Sequence, residues 1–286
     1  MYKPLVSVVI ASLNGGETLF DCVNSLTKSD YQKMEIVVVN NGGKDNDFLK
    51  LQNINSAYKI CVVKSENNLF FTGGSNFGAR QAKGSWYIFI NDDTVVDKLF
   101  VSKIIEKSRV YRKSLIQPSV MSFSNRKQID NIGGSLSLFC MGFGRKKLGR
   151  KIDYVVGTAF AINADFFWEL GGFDEWYKYH YEDVDLSLRA LRQGGRLLFA
   201  PEAYIYHKGS KTVMSLNSTD LLVNIRKNRL MTIFKNYTGL RFYIRISIAL
   251  ITTFFLALGH GDSIRAIPLF WTEARKRDRK STNRKK

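Results

Sequence analysis

The sequence predicts an α/β protein in which helices flank a mostly parallel β-sheet. Short apolar runs rich in β-branched and aromatic residues recur at 5–12, 35–40, 59–64 and 86–91. Stretches with the polar and apolar spacing of helices lie between these runs, at 17–28, 75–83 and 97–111. Alternation of strands and helices is typical of parallel sheets covered by helices. Ligands of such sheets bind beyond the carboxyl ends of the strands.

The pattern changes after the first 110 residues, although no low-complexity linker interrupts the chain before about 210. Glycines punctuate the segments around Gly133, Gly142, Gly157 and Gly171, and they are followed by a predicted helix near 184–193 and a strand near 196–205. We therefore predict one domain at 1–210. A helical, basic region at 211–286 follows it.

Charge and cysteine content limit the class of protein. Of the net charge of +18, residues 1–210 carry +6 and residues 211–286 carry +12. Apolar residues make up 45% of the chain, which excludes a disordered protein. The three cysteines are widely spaced and form neither a disulfide framework nor a metal-ligand motif, so we expect a reducing, cytoplasmic location.

Two adjacent carboxylates, Asp92 and Asp93, follow the apolar run at 86–90. A divalent cation such as Mg²⁺ takes oxygen ligands, commonly one or two carboxylates together with substrate phosphates. At the end of a parallel strand these aspartates are well placed for a cation and a diphosphate. The alternative is structural, because either aspartate could cap the helix predicted from Asp97.

A second acidic cluster opens the helix near 184–193. Asp185 is explained by the helix dipole, which stabilises carboxylates at a helix N-terminus. Glu182 and Asp183 precede the amphipathic part of the helix and are candidates for proton transfer from an attacking hydroxyl. His207 follows the last predicted strand, and it is either a metal ligand or a surface residue.

Short motifs follow one another in order over about 210 residues. They are Val-Ser-Val-Val-Ile at 6–10 with Asn14, Glu-Ile-Val-Val-Val-Asn-Asn-Gly at 35–42, Asn-Leu at 68–69, Gly-Gly-Ser-Asn at 73–76, Phe-Ile-Asn-Asp-Asp-Thr at 89–94, Gly-Thr-Ala-Phe at 157–160, Gly-Gly-Phe-Asp-Glu at 171–175, Tyr-Glu-Asp-Val-Asp-Leu at 181–186, Pro-Glu-Ala at 201–203 and Tyr-His at 206–207. Together they resemble the family 2 glycosyltransferases of the Rossmann-like GT-A fold, in particular a bacterial rhamnosyltransferase-like branch.

The resemblance implies a role for each matched position. Asp93, assisted by Asp92, resembles the acidic site that holds Mg²⁺ or Mn²⁺ against the donor diphosphate, and His207 resembles the histidine that completes this site. Asp183, with Glu182 beside it, resembles the general base of an inverting, single-displacement transfer. The remaining matches fall at positions that line the nucleotide-sugar pocket: Ser12, Leu13, Asn14, Asn40, Asn76, Asp92 and Gly157.

Four positions depart from the pattern of the family. Asn40 stands where the family has an aspartate that accepts a hydrogen bond from the pyrimidine base. Ala11 and Leu13 replace a proline and an aromatic residue. Phe70 replaces a frequent glycine in the turn after Asn68 and Leu69. None of these departures falls on the predicted metal site or base, so the resemblance implies an active enzyme with an altered donor preference.

The basic region contains the uncharged run 246–258, preceded by Arg241 and Arg245, and ends with eight basic residues at 275–286. The run falls short of the ~20 residues that span a bilayer, so we expect an interfacial or partly inserted helix. A basic cluster beside an apolar helix is typical of anionic membrane surfaces. The alternatives are a helix packed in a core, a nucleic-acid arm or an idle solvated tail.

The sequence thus predicts a cytoplasmic, membrane-peripheral transferase. Its expected partners are a nucleotide-diphosphate sugar, with rhamnose as the candidate sugar, and a lipid-linked glycan acceptor of cell-surface polysaccharide assembly. We expect no nucleic-acid partner. A non-catalytic protein that binds nucleotide sugars or glycans on the same fold is the alternative function, because a fold does not fix an activity.

Overall fold

The computed structural model describes residues 3–147, 151–209, 218–259 and 264–283. The chain divides into two compact units. The first consists of Met1–Ser135 with Gly144–Gly209, and the second of Leu136–Phe143 with Ser210–Lys286. The predicted division into 1–210 and 211–286 stays a prediction.

The first unit is built on a nine-stranded sheet in the order β3-β2-β1-β4-β10-β6-β11-β5, with β7 paired to β6. A separate pair of short strands, β8 and β9, forms a two-stranded sheet. The strands are β1 Val6–Ser12, β2 Met34–Asn41, β3 Lys59–Ser65, β4 Trp86–Ile90, β5 Thr94–Val96, β6 Ser114–Ser122, β7 Ile129–Asn131, β8 Gly134–Leu136, β9 Gly142–Gly144, β10 Ala159–Asn163 and β11 Arg196–His207.

The large sheet is mixed, so the prediction of a mostly parallel sheet is wrong. Strands β3, β2, β1 and β4 pair in parallel as predicted. However, β10 runs antiparallel to both β4 and β6, and β11 is parallel to β6 but antiparallel to β5. A parallel connection needs a crossover, usually a helix, and no helix lies between β6 and β10 in the described residues.

Helices cover the sheet, and alternate residues of β1 enter different cores. Val8 and Ile10 belong to one buried cluster and Val9 to the other, as expected when successive side chains of a strand point to opposite faces. The helices of the first unit are α1 Gly16–Leu26, α2 Asn46–Leu49, α3 Phe70–Gln81, α4 Phe100–Ser108, α5 Ala164–Glu169 and α6 Glu182–Arg192.

The second unit contains three helices in its described part, α7 Ser218–Asn236, α8 Gly239–Gly259 and α9 Ala266–Asn283. Phe234 of α7 makes ring contacts with Phe242 of α8 and Phe270 of α9, so α7 packs against both. Arg229 of α7 donates to Thr253 Oγ1 of α8 over 2.7 Å. Within the described residues, no helix has the length and hydropathy required to cross a membrane.

Candidate active site

Several of the predicted site residues lie where parallel strands end at one edge of the sheet. Ser12, the last residue of β1, stands opposite Asn40 near the end of β2. Just beyond β4, the N–H of Asn91 donates to the carbonyl oxygen of Thr158 over 3.0 Å. This bond joins the acidic strand end to the loop that contains Gly157. This edge of the sheet therefore contains segments, such as those of Ser12 and Thr158, that are more than 100 residues apart in the sequence.

The short strand β5 brings Asp93 and His207 together. In its antiparallel pairing with β11, Thr94 is opposite His207, which places His207 beside the residue that precedes Thr94. Nε2 of His207 lies 3.3 Å from Oδ2 of Asp93. A backbone hydrogen bond also holds the two segments together, since the N–H of Lys208 donates to the carbonyl oxygen of Asp93 over 2.9 Å.

The atoms facing one another at this position fit a divalent cation. Asp93 is buried, and neither its Oδ1 nor His207 Nε2 has a hydrogen-bond partner among the described residues. On the other side of the ring, His207 Nδ1 lies 2.9 Å from Asp130 Oδ2. A carboxylate behind a histidine is the usual arrangement that orients a metal-binding imidazole. In the described residues, no group of three or more Asp, Glu, His or Cys side chains suited to a metal ion occurs.

The two carboxylates also determine the charge of the histidine. Burial alone would lower the pKa of His207, but the carboxylates of Asp93 and Asp130 on the two sides of the ring outweigh this effect and raise it to about 9. Sequence reasoning missed Asp130. It lies on β7, a three-residue strand inside a polar stretch, and so short a strand carries no hydrophobic periodicity that would reveal it.

Asp92 is held by β1 rather than by a helix. Ser12 Oγ donates to Asp92 Oδ2, and the same hydroxyl accepts from the N–H of Gly15 over 3.1 Å. Burial raises the pKa of Asp92 to about 6, against the lowering effect of the Ser12 bond. The predicted helix from Asp97 begins at Phe100 instead, and β5 lies between it and the acidic pair. The capping alternative for Asp92 and Asp93 is therefore wrong.

Asp183 is fixed by two backbone N–H groups. Gly157 N donates to Oδ2 over 2.9 Å and Val184 N donates to Oδ1 over 2.8 Å. Burial of the carboxyl group raises the pKa of Asp183 to about 6, and the backbone hydrogen bonds oppose this rise. The predicted helix start at Val184 is two residues late, because α6 begins at Glu182.

Glu182 is buried next to Asp183, and its Oε2 has no hydrogen-bond partner in the described residues. Burial and the neighbouring charge of Asp183 raise the pKa of Glu182 well above its ordinary value. Gly157 lies against this pair, since a Cβ added to it would be 3.2 Å from Glu182 Oε1. The structure thus brings Gly157, Glu182 and Asp183 into one cluster.

Asp185, the third acidic residue in the first turn of α6, has a structural role. It is fully buried and forms a 2.7 Å ion pair with Nε of Arg189 one turn later. Nη1 of Arg189 donates to the carbonyl oxygens of Leu170 and Gly172. The Asp185–Arg189 ion pair therefore attaches the start of α6 to the turn that contains Leu170 and Gly172.

The backbone before α6 is strained. Lys178, His180 and Tyr181 all have positive φ values, as does Phe70 at the start of α3. Non-glycine residues in this region cost about 1–2 kcal/mol each and cluster at functional sites. The Lys178 ammonium lies 4.4 Å from the centre of the Phe70 ring, so the two strained segments touch. The φ of 57° at Phe70 is a backbone conformation that glycine adopts at no steric cost.

The amide of Asn40 orders the loop after β2. Its Oδ1 accepts from the N–H of Gly43 over 2.8 Å, and its Nδ2 donates to Asp45 Oδ1 over 3.0 Å. Asp45 in turn forms a 2.7 Å ion pair with Lys64 at the end of β3. Gly43 leaves no space for a side chain, because an added Cβ would meet the carbonyl oxygen of Leu13. Asn40 is thus tied to Asp45, a partner that the sequence did not reveal.

Asn76 and Asn14 lie in contrasting surroundings. Asn76 is buried in α3, accepts from the N–H of Phe173 over 2.9 Å and donates to the Phe173 carbonyl oxygen over 2.9 Å. Asn76 therefore ties α3 to the turn before α6 that contains Phe173. Asn14, in contrast, is exposed. Their predicted place in a nucleotide pocket stays a prediction.

Comparison with known proteins agrees with this geometry. The family model described as "Glycosyl transferase family 2" matches residues 7–171, which is more than half of the chain. The chain belongs to glycosyltransferase family 2. This glycosyltransferase is 28% identical over 238 residues to an uncharacterised glycosyltransferase of Rickettsia prowazekii, covering 77% of the present chain and 70% of the relative.

Solved structures with the same fold as this glycosyltransferase include GalNAc-T7 with UDP, GalNAc and Mn²⁺, at a TM-score of 0.66 and 22% identity. That match covers 80% of the present chain but only 47% of GalNAc-T7. A mannosyltransferase of Pyrobaculum calidifontis in complex with GDP-Man and Mn²⁺ has a TM-score of 0.62 at 13% identity, over 96% of this chain and 76% of that one. At these identities the likeness shows the fold. It is GT-A-like, as predicted, but its sheet is mixed and not mostly parallel.

Proposed function

We propose that this glycosyltransferase is an inverting enzyme that moves a sugar from a nucleotide-diphosphate donor to an acceptor hydroxyl, with rhamnose as our candidate sugar. The observation that carries the proposal is the difference in surroundings between two acidic sites, one at Asp93 and the other at Asp183. Asp93 faces a histidine at a point where buried polar atoms have no hydrogen-bond partner among the described residues, whereas Asp183 accepts hydrogen bonds from two backbone N–H groups. The first environment suits a cation, and the second suits a carboxylate that takes up a proton.

Asp183 is the proposed general base. It would accept the proton of the acceptor hydroxyl as the hydroxyl oxygen bonds to the anomeric carbon and the bond to the donor diphosphate breaks on the opposite face. Gly157 and Val184 orient the carboxylate, and its raised pKa makes it a stronger base than an exposed aspartate. Glu182 is the proposed second catalytic carboxyl, and burial raises its pKa well above the ordinary value.

Asp93 and His207 would hold Mg²⁺ or Mn²⁺, with Asp130 orienting the imidazole. A bound divalent cation supplies stabilisation of the negative charge that develops on the leaving nucleotide diphosphate. Ser12 fixes Asp92 at the same edge of the sheet. The proposed nucleotide-sugar pocket consists of Ser12, Leu13, Asn14, Asn40, Asn76, Asp92 and Gly157. The complexes of GalNAc-T7 with UDP and of the Pyrobaculum enzyme with GDP-Man support a nucleotide donor for this fold.

The proposed acceptor is a lipid-linked glycan of cell-surface polysaccharide assembly, which would place the enzyme at the inner face of the cell membrane. The support is compositional. Residues 211–286 carry +12 of the net charge of +18, and a basic region is attracted to anionic lipid headgroups.

The test is the variant Asp183→Asn, which keeps the size of the side chain but removes its basicity. Transfer from the donor is expected to fall by about 10²–10⁴-fold, with donor affinity measured by calorimetry unchanged. Asp165→Asn, at an exposed ion pair with Arg112, is the matched control and is expected to remain active. Near-normal turnover by Asp183→Asn would refute the assignment of the base. Donor binding without turnover by the unaltered chain would favour the alternative of a non-catalytic nucleotide-sugar-binding protein.

A further inference from the structure

Helix α8 of the second unit has an apolar face that stays exposed. Ile246, Ala249 and Thr253 are buried and form its inner face. Six apolar side chains elsewhere on the helix are between 42 and 74% exposed: Leu240, Tyr243, Ile244, Ile251, Phe254 and Phe255. We call these six residues the outer stripe of α8. Single exposed apolar residues need no explanation, whereas several on one helix, here with the exposed Ser247 between Ile244 and Ile251, mark an interaction surface.

The outer stripe follows the geometry of one helix face. Its members recur at intervals of three, four and seven residues, which places them above one another along the helix. From Leu240 to Phe255 the stripe is about 22 Å long, at a rise of 1.5 Å per residue. After Arg245 the sequence of α8 contains no charged residue. Both the inner and the outer side of this segment are therefore largely apolar.

The basic residues at the start of α8 do not interrupt the stripe. Nη1 of Arg245 donates to the carbonyl oxygens of Ser137 and Leu138, and its guanidinium stacks 4.3 Å from the ring centre of Tyr237. Arg245 is thus directed toward its own unit. Leu138, whose carbonyl oxygen accepts this bond, is itself 59% exposed. Arg241, in contrast, is exposed next to Leu240.

Exposed basic groups accompany the apolar residues on the next helix as well. In α9, Leu269 and Trp271 are more than 40% exposed, and Arg265 and Arg275 are exposed before and after them. Four acidic and 16 basic residues occur in 211–286. A surface that offers aromatic and aliphatic side chains together with cations matches the headgroup region of an anionic bilayer, where apolar groups enter the acyl boundary and cations meet phosphates.

We infer that the outer stripe of α8 is a membrane-docking surface, which lies in the headgroup layer of an anionic bilayer without crossing it. The inference deepens the proposed function by naming the surface through which the enzyme would reach a lipid-linked acceptor, and it rests on that part of the proposal. The absence of a membrane-crossing helix among the described residues agrees with a helix that lies along the surface. A second copy of the chain is the competing occupant, and charge decides against it, because two copies would bring equally basic surfaces together.

The experiment uses the full chain and two kinds of vesicle, one of pure phosphatidylcholine and one of equal parts phosphatidylcholine and phosphatidylglycerol. The test variant replaces Ile251, Phe254 and Phe255 by serine. Its matched control replaces three exposed apolar residues of the first unit, Leu49, Val110 and Leu191, by serine. Co-sedimentation measures vesicle binding. Light scattering without vesicles measures the oligomeric state, and transfer to a soluble acceptor measures activity.

The unaltered chain and the control are expected to sediment with the anionic vesicles and not with the neutral ones. The stripe variant is expected to lose at least about tenfold in vesicle affinity, since one buried apolar side chain is enough for a change of that size. Its transfer to the soluble acceptor should stay unchanged, so a failure of docking is distinguishable from a failure of the transferase proposal. Equal vesicle binding by the variant and the unaltered chain would overturn the inference. So would a dimer that becomes monomeric in the variant while vesicle binding is absent throughout.

Discussion

The two acidic pairs of the first unit have almost the same composition and opposite surroundings. Asp93 lies 3.3 Å from Nε2 of His207, and its Oδ1 has no hydrogen-bond partner among the described residues. Asp183 accepts hydrogen bonds from the backbone N–H groups of Gly157 and Val184, and its pKa is raised to about 6. Environment, and not residue type, thus separates a carboxylate suited to binding a cation from one suited to accepting a proton.

Asp185 provides the strictest test of this comparison. It lies on α6 like Asp183, but it is proposed neither to bind a cation nor to accept a proton. Replacing it by alanine would leave Arg189 charged and largely buried without its ion-pair partner. We expect the free energy of unfolding to fall by about 3–5 kcal/mol, as measured by urea denaturation. The surface variant Asp165→Ala is the control and should change stability little. Full stability of Asp185→Ala would show that the pair contributes nothing to the fold.

Asp93→Ala should remove the cation-dependent part of donor binding. In the unaltered enzyme, we expect Mn²⁺ and one nucleoside diphosphate together to raise the melting temperature in a thermal-shift assay. The variant should lose this shift and about 10²–10³-fold in transfer rate, because charge on the leaving group is no longer neutralised. Glu169→Ala, at an exposed ion pair with Lys113, serves as the control. A metal-dependent shift that survives in Asp93→Ala would place the cation elsewhere.

Asp130→Asn should have a smaller effect, because Asp130 contacts the imidazole and not the cation site itself. Loss of a carboxylate behind a metal-binding histidine typically costs 10- to 100-fold in metal affinity. We expect a Mn²⁺ titration of donor binding to move by this factor, and by more in His207→Ala. An unchanged titration in Asp130→Asn, alongside a weakened one in His207→Ala, would mean that Asp130 does not orient the ring.

The smallest expected effect concerns pH. Asp183 must be ionised to accept a proton, so kcat/KM should fall as pH drops through about 6 and level off above it. Burial and the charge of Asp183 raise the pKa of Glu182 well above its ordinary value. We expect Glu182→Gln to leave the acidic limb of the profile in place, because that limb reports the ionisation of Asp183. A marked shift of the limb to lower pH would show that a charge on Glu182 contributes to it.

The sequence revealed those parts of the site that follow apolar strands. The runs ending at Ser12, Asn40 and Ile90 predicted strands of one parallel sheet, and the polar residues after them lie at its edge as expected. The sequence predicted no strand at β10, and an apolar run of five residues has the same appearance in either direction. Without β10 and its antiparallel pairing, only the parallel strands were visible, and the sheet was expected to be mostly parallel.

Partners from short or polar segments could not be predicted. Asp130 and the Thr94 strand come from three-residue elements, in which no periodicity is measurable. Asp45 is linked to Asn40 by a loop conformation that only the fold determines. Phe70 is an intermediate case. Its departure from glycine was visible in the sequence, but the left-handed backbone that gives the departure its cost was not.

The pairing of β5 with β11 has a consequence for the mobility of the sheet. Only three residues of β5 face β11, and β5 is the last strand of the sheet on that side. So short an edge is the kind of segment that opens and closes while the rest of a domain stays folded. Asp93 stands immediately before β5 and His207 ends β11. A ligand held by both side chains at once therefore joins β5 to β11. The backbone amide protons of these two strands are then expected to exchange with solvent more slowly when the ligand is bound.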